Sequence, residues 1–86
     1  MSKICKLIEA MLRLPPEVRF DDVETLLRRF GWTLDHETGS HGIFTPPDAG
    51  FHLNIPKVGG RMVKKTYLVK LVERLELRDY YEEHCS

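Results

Sequence analysis

Gly39-Ser40-His41-Gly42-Ile43-Phe44-Thr45 is the stretch from which the rest of the chain can be read. A small, flexible pair, Gly39-Ser40, leads into an apolar run, Ile43-Phe44, and Pro46-Pro47 stops it. Apolar and polar residues alternate on both sides. Trp32 and Leu34 alternate with Thr33 and Asp35 before it, and Phe51, Leu53 and Ile55 with His52 and Asn54 after it. A period of two is the mark of a strand with one buried face. Three strands are therefore expected, residues 32–36, 41–45 and 51–55. Gly39 is the residue expected at positive φ in the first turn. With residues 37–40 as the loop, His36 and His41 face each other across the hairpin, where directly opposed Cβ atoms lie ~4.5–5.5 Å apart.

Helical patterns flank these strands. Ile4, Leu7, Ile8, Met11 and Leu12 make a stripe over residues 3–14, which Pro15-Pro16 ends. Residues 17–20 read as a connector. Asp21 or Asp22 can cap the next helix, and Asp21 with Glu24 three residues later fits a capping box. Val23, Leu26, Leu27 and Phe30 then form one face of a second helix, Arg28-Arg29 suit its C-terminal dipole, and Gly31 suits its C′ position. After Pro56, residues 57–60 read as a loose crossing. From about Met62 the period is helical again, with Tyr67, Leu68, Leu71, Val72 and Leu75 on one stripe. Residues 78–86 are polar, and two outcomes stay open for them: a further helical turn or a frayed end. The order is helix, helix, three antiparallel strands, helix. That is an α+β class with helices on one sheet face and the other left for a ligand.

Eighty-six residues suit one domain, with an N-terminal helix at 3–14 and an acidic tail at 78–86. Hydrophobic content of 42% and charged content of 30% fit a soluble globular chain. No apolar run approaches the ~18 residues of a membrane span, and the N-terminus lacks the apolar core of a signal peptide. A cytoplasmic protein with no membrane partner is expected, and in that setting Cys5 and Cys85 are expected to be free thiols. The formal net charge is zero, which argues against a general nucleic-acid binder. Its distribution argues the other way. Lys57, Arg61, Lys64, Lys65 and Lys70 occur with no acid among residues 57–70, whereas Glu76, Asp79, Glu82 and Glu83 face Arg78 alone. A solvated helix face and a phosphate-facing patch are equally good readings of that cluster. An acidic tail folded over the basic segment would shield it.

Several pieces occur in a familiar order. An apolar helix ends in Phe30-Gly31-Trp32. Gly39-Ser40-His41 precedes Ile43-Phe44, and Ile55-Pro56 closes the third strand. Gly59-Gly60 then stands before Lys64-Lys65 and Leu68. In this order and spacing the chain resembles the HicA-type toxins, small RNA-cleaving members of bacterial toxin–antitoxin pairs, over a core placed at residues 20–77. The resemblance implies a fold like a double-stranded-RNA-binding domain, α-β-β-β-α, preceded here by an extra helix. It implies cleavage of mRNA without metal or other cofactor, His41 as the catalytic histidine, and a HicB-like antitoxin that covers the site. The chain departs from the family pattern at Gly42, where a second histidine is common, at Val58, and at Thr66-Tyr67.

The residue types present are ones that chemistry can use. RNA carries its own nucleophile, the 2′-OH. An enzyme must supply a base, an acid for the leaving 5′-oxygen, and positive charge at phosphorus. Histidine, with an unperturbed pKa of ~6.5, serves as either base or acid. His41 is the expected proton-transfer group. His36 is the candidate for a second acid/base, although a strand residue that merely faces solvent is its commoner reading. Lys57, Arg61, Lys64 and Lys65 are the expected phosphate contacts. Ser40 and the backbone of Gly59-Gly60 approach a phosphate, with the glycine pair opening the last helix. On spacing alone, a strand-edge histidine bonded to a carbonyl is the commoner arrangement; the resemblance reverses that weighting. His36, His41 and His52 lack the spacing of a metal site, so none is expected. Trp32 suits the core better than a base-stacking role, and His52 suits the surface. Two other functions fit the same fold: a non-catalytic RNA-binding module, and an interaction domain that forms a homodimer through its N-terminal helix and tail.

Overall fold

The structure, a computed structural model, describes residues 2–86. Ser2 caps the first helix, α1 (Lys3–Leu12), its hydroxyl accepting the Cys5 N–H at 3.2 Å. The stripe read from the sequence buries Ile8 and Met11 fully. The helix stops short of the expected residue 14, where Leu14 takes φ 51° ahead of Pro15-Pro16.

The expected connector is instead a strand, β1 (Glu17–Arg19), which runs directly into α2 (Phe20–Arg29). Asp21 is not a cap. Arg19 occupies the N-cap position without a side-chain bond, and Asp21 and Asp22 lie in the first turn. The helix start is held from elsewhere in the fold: the Phe20 N–H, one of its orphan donors, is taken by the Arg61 carbonyl at 2.8 Å. Glu24 pairs with Arg28 one turn on. At the other end Gly31 has φ 87°, its N–H donates to the Arg28 carbonyl, and the Trp32 N–H donates to Leu27 at 2.9 Å. This is a complete Schellman motif.

A three-stranded antiparallel sheet follows, in the order β2 (Thr33–Glu37), β3 (His41–Thr45), β4 (Leu53–Pro56), with β3 in the middle. Leu34, Phe44 and Leu53 share one row across it and Gly42 and Ile55 the next, all toward the helices. Phe44 and Ile55 are buried in the same apolar cluster as Val23, Leu26, Leu27, Leu68 and Leu71. His36, Ile43 and Asn54 form a row on the opposite face.

The third strand begins later than expected. Asp48 accepts the Gly50 N–H and Arg74 holds the Phe51 carbonyl, so the chain is still turning at Phe51. Phe51 is 87% exposed rather than half-buried. Residues 62–64 are also strand rather than helix. β5 (Met62–Lys64) pairs antiparallel with β1 in a second, two-stranded sheet, and α3 (Lys65–Arg74) starts only after it.

The tail is helical. Glu76, at φ 51°, redirects the chain into α4 (Leu77–His84). Tyr81 donates to Glu9 Oε2 at 2.9 Å, and Cys5 and Cys85, with Cα atoms 5.5 Å apart, form a disulfide. The free-thiol expectation is thereby corrected. α4 lies on α1 and brings the two cysteines within bridging distance, a proximity no local pattern announces. The tail does not shield the basic segment, since among the described residues no ion pair joins its carboxylates to residues 57–70.

The arrangement is a small α+β fold of double-stranded-RNA-binding-domain type, with α2-β2-β3-β4-α3 as its α-β-β-β-α core. Among the described residues no helix is long and apolar enough to cross a membrane.

Candidate active site

The turn that carries His41 is organised by Thr38. Its Oγ1 accepts the N–H groups of Ser40 at 3.1 Å and His41 at 3.2 Å. The Thr38 N–H closes the turn on the His41 carbonyl at 2.9 Å. A hydroxyl that takes two backbone donors replaces the bonds that a positive-φ residue would otherwise arrange. Gly39 accordingly is not at positive φ; that conformation belongs to Gly31, Gly59 and Gly60 among the glycines. The remaining capacity of Thr38 Oγ1 is its own proton, with His41 Nδ1 at 3.4 Å and the His41 carbonyl at 3.5 Å within reach. Sequence reading passed over Thr38. Its signal was a hydroxyl residue placed two and three positions before the N–H groups it binds.

His36 does not stand directly opposite His41. The register shifts between Leu34 and His36, so that His36 pairs with Ile43 and Glu37 with Gly42. The irregularity has a consequence for chemistry. Strand residues alternate between faces, so one extra residue on β2 moves His36 from the core side to the open side. There the rings of His36 and His41 have centroids 6.4 Å apart, tilted by 49°. His36 is exposed and His41 is partly covered.

A second turn forms the neighbouring wall. Gly59 at φ 63° and Gly60 at φ 74° occupy its centre, and the Arg61 N–H returns to the Val58 carbonyl at 3.3 Å. Two successive positive φ values define a type I′ turn, in which glycine carries no steric penalty. The glycine pair therefore feeds β5 rather than opening the last helix. It lies against the histidine turn, since a Cβ built on Gly60 would stand 3.5 Å from the Gly39 carbonyl oxygen. The Lys57 N–H also donates to the Ser40 carbonyl at 2.8 Å.

Of the expected cations, Lys57 is differently employed. Its side chain is 5% exposed, pairs with Glu37, and passes over the Phe20 ring at 4.5 Å. This ammonium meets a carboxylate of the histidine hairpin rather than solvent. Arg61, Lys64 and Lys65 are exposed. Arg61 joins Glu37, Lys57 and Gly60 around a small pocket of about 130 Å³. Lys64 ends β5, about 10 Å from Arg61 at strand rise and opposite Glu17, and Lys65 opens α3 directly after it.

Gly42 has a packing explanation. A Cβ there would approach Phe20 Cζ to 2.4 Å, so the Phe20 ring fills the space a side chain would need. That ring stacks in turn on Phe44, with centroids 5.7 Å apart. Trp32 is buried, with the Arg74 guanidinium 5.1 Å from its ring, and His52 is on the surface. Tyr80 packs within the domain against Phe30. Among the described residues no group of three or more His, Cys, Asp or Glu side chains is arranged to hold a metal ion.

Residues 20–77 match the family described as HicA toxin of bacterial toxin-antitoxin. The chain belongs to the HicA toxin family. As a HicA toxin it is one half of a toxin–antitoxin system and has an antitoxin partner. The matched span contains α2, the whole three-stranded sheet, β5 and α3; α1, β1 and nearly all of α4 lie outside it. No curated protein and no solved structure matches the chain.

Proposed function

We propose that this HicA toxin is a metal-independent endoribonuclease that cleaves mRNA by histidine acid/base catalysis and is neutralised when a HicB-like antitoxin covers the His41 face. The observation that carries the reading is the pair of imidazoles, His36 and His41, 6.4 Å apart on the open face of the sheet, with the Gly59-Gly60 turn against the same hairpin end.

In the proposed reaction one imidazole removes the proton of the 2′-OH. The 2′-oxygen attacks phosphorus, the bond from phosphorus to the 5′-oxygen breaks, and an imidazolium protonates the departing oxygen. The products are a 2′,3′-cyclic phosphate and a 5′-hydroxyl, and no external reagent is consumed. His41 is one of the two groups and His36 the second. Arg61, Lys64 and Lys65 hold the phosphates on either side of the cut, together with the backbone at Ser40, Gly59 and Gly60. Lys57 acts one step back, fixing Glu37 and, through its N–H, the Ser40 carbonyl.

The test is cleavage of a long RNA in the presence of a chelator by the parent protein and by His41→Ala and His36→Ala. Loss of about 10²- to 10⁴-fold in rate is expected for His41→Ala, the usual worth of a general acid or base. Parental activity in His41→Ala, or loss of parental activity on chelation, defeats the mechanism. Near-full activity in His36→Ala removes His36 from it. RNA binding without cleavage in all three proteins establishes a non-catalytic RNA-binding module instead.

A further inference from the structure

A second surface lies outside the site. α1 and α2 enclose a groove of about 710 Å³, far larger than the pocket beside Arg61 and within the ~300–1,000 Å³ range of ligand sites. Its apolar part comes from Ile4 and Leu7, one turn apart on α1 and only partly covered by the core beneath them. Its rim is cationic: Lys3, Arg19, Arg28 and Arg29 line it against a single lining acid, Asp22. Arg19 is paired with Asp22 and Arg28 with Glu24, whereas Lys3 and Arg29 enter no ion pair among the described residues. Along α2 the lining runs from Arg19 to Arg29, about 15 Å or three turns at helical rise.

We propose that this groove is the docking site for an acidic, amphipathic helix of a protein partner. An apolar floor with residues one turn apart accepts a helix whose apolar side chains recur at i, i+3 or i+4. Unpaired cations on the rim select carboxylates beside that apolar stripe. RNA is the poorer occupant. Two of the four cations are already paired with acids of α2, the floor offers phosphates nothing, and no aromatic ring lines the groove for a base to stack on. Lys3, Ile4 and Leu7 of α1 and Arg19 of β1 all lie outside the family-matched span, so part of the surface is an addition of this chain to the HicA core. Arg19 lines both the groove and the pocket beside Arg61, so the groove adjoins the pocket that Glu37 of the histidine hairpin also lines. The inference rests on the groove and stands whether or not His41 is catalytic.

The probe is a fluorescein-labelled helical peptide of leucine and glutamate with leucines at i, i+3, i+4 and i+7, followed by anisotropy with the full chain. A scrambled peptide of the same composition and a leucine–lysine peptide of the same pattern serve as controls. The glutamate peptide is expected to bind at least about tenfold more tightly than either control, a difference of about 1.4 kcal/mol. Leu7→Glu and, separately, Arg29→Glu are each expected to weaken it about tenfold or more, while His41→Ala changes nothing. Arg29 is exposed, so its variant keeps the test decisive if Leu7→Glu fails to fold. Equal binding of the scrambled peptide, or indifference to Arg29→Glu, overturns the proposal. Two other outcomes do so by naming a different occupant. One is displacement of the peptide by a short RNA whose own binding is lost in Arg29→Glu. The other is a concentration-dependent dimer that Leu7→Glu dissolves.

Discussion

The hairpin end that carries His41 and the seam between α1 and α4 are held together in opposite ways. At the hairpin, Thr38 binds groups two and three residues away, the next turn is closed by its own glycines, and the contacts of Lys57 with Glu37 and Ser40 reach no more than 20 positions. At the seam, Tyr81 reaches Glu9 across 72 positions and the disulfide spans 80. Short-range bonds form wherever the local chain is intact, whereas long-range ones are made only once the whole fold is in place. The difference teaches that the candidate site and the global stability are separately encoded. Damage at the seam is expected to cost stability and spare the site; damage at the hairpin is expected to do the reverse.

The place where the two regimes meet is Gly42, a site-strand residue roofed by a core aromatic. Gly42→His is expected to expel the Phe20 ring and destabilise by about 3–5 kcal/mol, the usual cost of losing a buried aromatic. Chemical denaturation measures it. A cost below about 1 kcal/mol would show that the ring has room to move and that β3 is not fixed by the core. Next in size is the seam itself. Cys85→Ser, or reduction of the parent, is expected to lower stability by about 2–4 kcal/mol through the freed unfolded chain. RNA cleavage measured well below the melting range should be unchanged. A parallel loss of cleavage would couple seam to site and break the separation.

The same division decides what could be read from the sequence. The hydrophobic periods placed the three sheet strands and the first two helices, and Gly31 was legible as a C′ residue, because these features depend on neighbours within a turn or a strand. The β1–β5 ribbon was not legible. Glu17–Arg19 and Met62–Lys64 are three residues each, too short to display a period, and each is a strand only because the other exists. The disulfide failed for a related reason: nothing near Cys5 indicates Cys85. At the site, His41 and the cations were nameable by residue type. The bulge on β2 was not, although it decides which face His36 occupies, and neither was the pairing that draws Lys57 to Glu37. Thr38 was visible in principle as a hydroxyl ahead of two N–H groups, but a glycine in the same turn offered the more familiar explanation.

At the hairpin the sharpest probe is Thr38→Val, which keeps the shape and removes the oxygen. Two turn N–H groups lose their acceptor, and since Ser40 is exposed, water can replace part of it. About 1 kcal/mol of stability is expected to go. The effect on RNA cleavage should be proportionately larger, because the His41 ring loses its neighbour at Nδ1. Thr38→Ser should restore both. Full cleavage in Thr38→Val would show that the imidazole is oriented by the strand alone.

The smallest expected effect separates the seam from the hairpin by pH. The Tyr81 hydroxyl donates to Glu9, and this hydrogen bond, aided by partial burial and by the Glu9 charge, holds the phenol pKa above its ordinary value. The folded chain therefore keeps a proton that the unfolded chain releases near pH ~10. With fewer protons bound in the unfolded state, stability falls as pH rises. The contribution is fully present below that ordinary tyrosine value and disappears as the pH climbs through the folded one. Urea denaturation of the parent and of Tyr81→Phe across this alkaline range should give curves that differ at neutral pH and converge above it, while the hairpin variants keep a constant offset from the parent. If the offset of Tyr81→Phe is equally constant, the phenol is not sharing its proton with Glu9, and the seam is held by the disulfide and the apolar packing of α1 on α4.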